Sequence, residues 1–262
     1  MTTSGTIPSP TVSVRGLSKY FYDEARGELR AVDDINFECH PGEIFGLLGA
    51  NGAGKTTTLR ILATILKSTA GSAALMGYDV LKEPEAVRQN LGFSSATTAL
   101  YPRLTARETI EFFARVNGCA DGSVRQRVES LIARFGLGSY ADARVDKLSQ
   151  GMKQKVSIAR TVVHDPPVLI FDEPTVGLDV LNALEMQKLI SEFRAEGKTI
   201  IFSTHIMSEA EKLCDRIAII HQGKIHACDT LANLRAATDE HYLENIFVHY
   251  VERAAGAALS KP

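Results

Sequence analysis

The segment Gly49-Ala50-Asn51-Gly52-Ala53-Gly54-Lys55-Thr56 constrains this chain more than any other feature. It fits G-x-x-x-x-G-K-[ST] in full, and it lies between an apolar run, Glu43–Leu48, and a helical pattern over Lys55–Leu66 with Leu59, Leu62, Ile65 and Leu66 on one face. Glycines tolerate the curled backbone that turns successive N–H groups inward. The helix start adds about half a positive charge, and Lys55 supplies a whole one. At ~4 Å and an effective dielectric of ~20, one such charge pair is worth about 4 kcal/mol before desolvation. The segment therefore predicts a cradle for a polyphosphate, with the Thr56 hydroxyl offered to Mg2+ and that of Thr57 to a nearer phosphate.

The rest of the chain gives this cradle an ordinary setting. Its 262 residues, 45% of them hydrophobic, suit one large domain or two small ones. A net charge of −2 supplies no global field toward nucleic acid or anionic lipid. No apolar run approaches the roughly 20 residues that a spanning helix needs, so any membrane role is expected to pass through a partner. Residues 1–10 read as a flexible lead-in without the basic and apolar stretches of a signal peptide. Cys39, Cys119, Cys214 and Cys228 show no metal-ligand spacing and read as reduced, partly buried core residues.

Short strand patterns recur at Ala31–Cys39, Val168–Phe171 and Thr199–Ser203, with an amphipathic helix at Leu181–Phe193 and a hairpin over Ile217–Ile225 turning at Gln222-Gly223. This alternation predicts a parallel-sheet α/β core. Between Ser94 and Lys153 the pattern becomes helical. Thr105-Ala106-Arg107-Glu108 reads as a capping box, and a second helix follows near Val124–Phe135. Nine lysines and arginines stand against six acids in this stretch, which reads as solvated helix surface. Near the end, Leu243, Ile246, Phe247, Tyr250 and Val251 form a one-sided helix, able to pack on the core or to meet a partner.

Four further segments carry chemistry. Val168–Phe171 ends in Asp172 and Glu173, where an acid at the tip of a buried strand can serve Mg2+ and its neighbour can take a proton from an attacking water. Leu148-Ser149-Gln150-Gly151-Met152 introduces a helix with Ser149 as a natural N-cap. Thr175-Val176-Gly177-Leu178-Asp179 follows the acids, and Ser203-Thr204-His205 ends the next strand. Singly, these are also consistent with an acidic turn, a capped helix and a structural histidine.

In this order and spacing they resemble the ATP-binding subunits of ABC transporters, over about residues 12–246. Leu100–Glu108, Leu148–Lys155 and Leu243–Phe247 are most similar to subunits serving ABC-2-type exporters, including the sodium-exporting NatA branch. The resemblance implies an α/β fold of the P-loop NTPase, RecA-like kind, with a parallel-sheet core, an antiparallel β region and an inserted helical subdomain. An ATPase domain over 11–237 would comprise a core at 11–93 and 154–237 and a helical subdomain at 94–153, followed by a helical tail at 238–262. It also implies that Gly49, Ala50, Asn51, Gly52, Ala53, Gly54, Lys55, Thr56 and Thr57 wrap the phosphates of ATP, that Thr56 and Asp172 serve Mg2+, and that Glu173 is the general base. His205 would contact the γ-phosphate and Asp179 a dimer interface. Ser149 and Gly151 would cap the γ-phosphate held by a second ATPase subunit, in a homodimer as first expectation. An aromatic residue after Leu17-Ser18-Lys19 would stack on adenine; Phe21 fits the spacing best, with Tyr20 and Tyr22 as rivals. The other implied partner is a membrane-spanning permease, holding the chain at the inner face of the cell membrane; nucleic acid is not expected.

Two departures from the family pattern stand out. Gln150 and Met152 occupy the third and fifth positions of a signature that is usually Leu-Ser-Gly-Gly-Gln. Ala96 stands where the family usually has a glutamine that reaches Mg2+ and water, and a water held by Ser94, Ser95 or Thr97 is the expected substitute. The competing readings are a soluble ABC ATPase acting on nucleic acid or ribosomes, and a regulatory module without catalysis. A single cassette and the near-neutral charge weigh against the first, and intact Lys55, Asp172, Glu173 and His205 against the second. The short tail favours export over import, while the cargo is encoded elsewhere.

Overall fold

Two sheets share one hydrophobic layer. The computed structural model describes residues 9–24, 27–95 and 99–259. The first sheet is antiparallel, in the order β2 (Gly27–Cys39), β1 (Val12–Asp23), β4 (Ala70–Leu75), β5 (Tyr78–Asp79). The second runs β10 (Lys224–Asp229), β9 (Arg216–His221), β3 (Ile44–Leu48), β8 (Thr199–Thr204), β7 (Val168–Asp172), β6 (Leu91–Ser95). Its strands from β9 to β6 are parallel, and β10 returns antiparallel beside β9.

The parallel strands β3, β7 and β8 are buried along their whole length, as a sheet covered on both faces requires. Alternation sorts their side chains into two cores. Phe45, Leu47, Ile170 and Ile201 point toward the antiparallel sheet and α1 (Lys55–Leu62). Ile44, Leu169, Phe171, Ile200 and Phe202 face the other side, where α3 (Ala106–Val116), α4 (Asp121–Arg134), α5 (Gln150–Val162) and α6 (Val180–Ala195) pack. A short α2 (Pro84–Gln89) leads into β6, and α7 (Met207–Leu213) follows β8. The chain closes with α8 (Leu231–Thr238) and α9 (Leu243–Leu259).

Several local readings need adjustment. Helix α1 ends at Leu62, short of Leu66, because Thr64 adopts a left-handed backbone (φ 60°) that turns the chain away. Ile65, expected on the buried face, is consequently 62% exposed. Strand β2 begins at Gly27 rather than Ala31, because its polar first residues pair with the end of β1, Asp23 opposite Gly27 and Tyr22 opposite Glu28. The hairpin turn is built as read, with Gln222 and Gly223 both at positive φ.

The helical region shows its expected capping box. The Thr105 hydroxyl accepts from the Glu108 N–H, and the Glu108 carboxylate accepts from the Thr105 N–H. Four of its basic residues form ion pairs: Arg107 with Glu129 and Asp142, Arg115 with Asp121, Arg134 with Glu196, Arg144 with Asp146. On α9, Leu243 and Ile246 are fully buried against Leu48, Ile217, Ile219 and Leu234, and Phe247 and Tyr250 pack beside them. That face of the terminal helix packs on the chain's own core. The four cysteines are free; Cys39 is buried and the others half-buried. Among the described residues no helix is long and apolar enough to cross a membrane.

Candidate active site

The glycine-rich loop follows β3 and ends where α1 begins, at the carboxyl edge of the parallel sheet where open α/β folds place their ligands. Asn51 to Thr57, with Ala31 and Glu173, line a cavity of about 200 Å3. Gly54 has a left-handed backbone (φ 109°), and a Cβ there would sit 2.4 Å from the Ala31 carbonyl oxygen. No side chain fits that position, so the loop can hold this shape only with glycine.

Lys55 is 4% exposed and reaches back over the loop. Its Nζ donates to the carbonyl oxygens of Gly49 (2.6 Å) and Ala50 (3.1 Å) and stands 3.1 Å from Glu173 Oε1. His205 Nδ1 lies 3.3 Å from the same carboxylate oxygen. Lys55, Glu173 and His205, far apart in the chain, thus meet at one point. Glu173 holds a left-handed backbone (φ 51°), uncommon for a residue with a side chain. Its N–H is anchored by the Ser203 carbonyl oxygen (3.2 Å) and the Ser203 hydroxyl (3.1 Å).

Asp172 is buried at the tip of β7 and ringed by hydroxyls. Oδ1 accepts from Thr56 Oγ1 (3.1 Å) and Ser203 Oγ (2.7 Å), and Oδ2 from Ser95 Oγ (3.2 Å). Strand register makes this ring: Ser95 pairs with Asp172, and Asp172 with Ser203, across three adjacent parallel strands. Thr56 Oγ1 and the Asp172 carboxylate are hard oxygen donors side by side, a set that fits Mg2+.

The other predicted residues lie outside this cluster. Ser149 caps α5, its hydroxyl accepting from the Met152 N–H (3.3 Å). Asp179 caps α6, accepting from the Asn182 N–H (3.0 Å) and side-chain amide (2.5 Å), which hold its carboxyl below the usual range. Asn182 also links the two segments, since a Cβ on Gly151 would lie 2.9 Å from its side chain. Neither Ser149, Gly151 nor Asp179 lines the phosphate-loop cavity. A separate cleft of about 350 Å3, lined by Ser95, Pro102, Gln150, Lys153 and Gln154, opens beside α5.

Among the aromatic candidates, Tyr20 is engaged, with Arg30 over its ring at 5.0 Å and its hydroxyl toward Asp33 (3.4 Å). Phe21 is 40% exposed, under the Lys19 ammonium at 5.1 Å, and sits opposite Leu29 on the strand that carries Ala31. Tyr22 is almost wholly exposed. Ala96 and Thr97 lie outside the described residues. Sequence reasoning missed Ser203 as an anchor of both acids, and Gln154, whose amide donates to the Pro174 carbonyl (3.0 Å) and ties α5 to the segment after Glu173. The signal for Ser203 was its place at the end of the strand carrying His205.

The fold and this cluster define the class of a P-loop ATPase, and comparison with known proteins narrows it. The family described as ABC transporter matches residues 32–176. The chain is 38% identical over 243 residues to the ABC transporter ATP-binding protein NatA of Bacillus subtilis, covering 92% of this chain and 98% of that one. It is 43% identical over 198 residues to the Nod factor export ATP-binding protein I of Paraburkholderia xenovorans, covering 76% of this chain and 65% of the relative. A solved ATP-binding subunit of an ABC transporter superposes with a TM-score of 0.83 at 30% identity, covering 92% of this chain and 99% of the other. The chain belongs to the ABC transporter family, as one of its ATP-binding ATPase subunits.

Proposed function

We propose that this chain powers an exporter: two copies close around two ATP molecules, and hydrolysis reopens them. The observation that carries the catalytic part is the meeting of Lys55, Glu173 and His205 at one carboxylate oxygen, beside the phosphate loop. Loop amides and Lys55 bind the β- and γ-phosphates. When the γ-phosphate takes over Lys55, Glu173 turns to the attacking water and accepts its proton, while His205 holds the γ-phosphate. Thr56 and Asp172 would hold Mg2+, which when bound neutralises charge on the phosphates. Phe21 stacks on adenine. Of the hydroxyls that could substitute for the missing glutamine, Ser95 already touches Asp172, whereas Ser94 turns to Ser157 (3.5 Å).

Ser149, Gly151 and Asp179 lie outside the cavity of their own chain, which supports their use across a dimer: the α5 N-terminus of one copy completes the site of the other. The motion would act on a separate membrane-spanning permease that holds the chain at the inner face of the membrane, a reading that membership of the ABC transporter family supports. Export follows the relative whose name states it.

The test is Glu173→Gln. It should bind ATP and accumulate a dimer in size-exclusion chromatography, while phosphate release falls by about 10²- to 10⁴-fold, the usual worth of a general base. Normal turnover would remove Glu173 from its role, and a persistent monomer would refute the closure.

A further inference from the structure

Behind His205 lies a buried acid that the reaction does not touch. Glu209, on α7, is 5% exposed, and among the described residues it has no lysine or arginine partner in ion-pair range. Its carboxylate instead accepts from two neutral donors. Oε2 takes the hydroxyl of Thr204 at 2.8 Å, and Oε1 takes the side-chain amide of Gln187 at 3.4 Å. Thr204 ends β8 and Gln187 lies on α6, so one carboxylate joins three elements.

The Thr204 hydroxyl has a second duty. It accepts from the N–H of Ile206 at 3.0 Å while donating to Glu209. The two residues flanking His205 are therefore closed into a small loop, and Glu209 holds the hydroxyl that closes it. The Glu209 N–H in turn donates to the Ile206 carbonyl at 3.2 Å, binding the first turn of α7 to the same loop. Helix α6 is capped by Asp179 and contributes Gln187, so this carboxylate also links the helix that Asp179 begins to the histidine loop.

We propose that Glu209 is a positioning residue for ATP hydrolysis, which holds the His205 loop through Thr204 and ties it to α6 through Gln187. This rests on the reading of His205 as the γ-phosphate contact. In an apolar setting a carboxylate that accepts two bonds fixes the rotamers of both donors, and removing it frees the Thr204 hydroxyl from its orientation. The imidazole then samples orientations away from the cluster formed with Glu173 and Lys55, and misplacement of that order reduces the chemical step far more than binding.

The experiment compares the full-length wild type with Glu209→Ala, Glu209→Gln, Thr204→Val and the Glu209→Ala/Thr204→Val pair. Steady-state ATP hydrolysis is measured together with the His205 ring signals in 1H–13C spectra of the nucleotide-free protein, assigned with His205→Ala. Glu209→Ala and Thr204→Val should each lower kcat by about ten- to a hundredfold with KM within about threefold. The pair should fall no further than its worse member, and the His205 signal should move in each. Glu209→Gln keeps an oxygen for Thr204, and the Gln187 amide can turn to accept from it, so most of the rate should return. Wild-type kcat in both single variants overturns the proposal, and so does a reduced kcat with an unmoved His205 signal, which marks plain loss of packing around α7. If His205→Ala itself turns over normally, the catalytic reading of His205 is what fails; if it is dead while Glu209→Ala is normal, only the placement by Glu209 falls.

Discussion

The phosphate-loop side of the molecule and the helical region of α3 and α4 are built on opposite physical terms. At the first, buried groups depend on one another: Lys55 is held by two backbone carbonyls and Glu173, and Asp172 by three hydroxyls. In the second, arginines at or near the surface pair with acids, and apart from Thr109 the residues committed to the core are apolar. A buried polar group stripped of its partner costs its full desolvation, whereas a surface pair broken by water loses little. Tolerance to substitution should therefore differ sharply between the two regions.

The largest effect tests the first region at its centre. Lys55→Ala should abolish nucleotide binding, measured by equilibrium dialysis with labelled ATP, because it removes the charge that the loop exists to present. Retained binding at wild-type affinity would mean that the loop amides suffice. Next comes Ser203→Ala, which strips a donor from Asp172 and an acceptor from the Glu173 N–H. It should cost about 1–3 kcal/mol in urea unfolding and reduce kcat by about tenfold or more, as lost placement of catalytic groups does. A variant of native stability and rate would erase the contrast between the regions.

In the helical region, Thr105→Ala should cost about 1 kcal/mol, the usual worth of an N-cap, with kcat and KM unchanged. A matching fall in turnover would show that this helix transmits to the site. The smallest effect falls at the seam, where His164 follows α5 and its Nε2 meets the Leu91 carbonyl oxygen of β6 (3.2 Å). Burial lowers its pKa from the ordinary 6.5. The unfolded chain then binds more protons as pH falls through that value, so stability should decline as pH drops through 6.5 and toward the folded value. In His164→Gln this part of the decline should vanish from urea melts run between pH 8 and 5.

Much of the site was legible because its motifs are local. A contiguous loop such as Gly49–Thr56 carries its own geometry, and so do the caps at Thr105 and Ser149, whereas the cap at Asp179 was not read from the sequence. Ser203 and Ser95 were only partly legible, since neither belongs to a spaced pattern with Asp172. Their roles arise from a register across β6, β7 and β8 that no single segment encodes. Ile65 misled for the related reason that periodicity continues past the residue where the backbone stops being helical.

By itself, then, the order of residues determined the family, the phosphate loop, the tandem acids and the capped helix starts at Thr105 and Ser149, because each depends on neighbours a few positions away. Only the folded chain decided which distant groups share an atom: Lys55 and His205 on Glu173, three hydroxyls on Asp172, and Glu209 behind Thr204. Those contacts come from side-by-side strands and from burial, which bring together donors and acceptors that chain distance alone keeps apart.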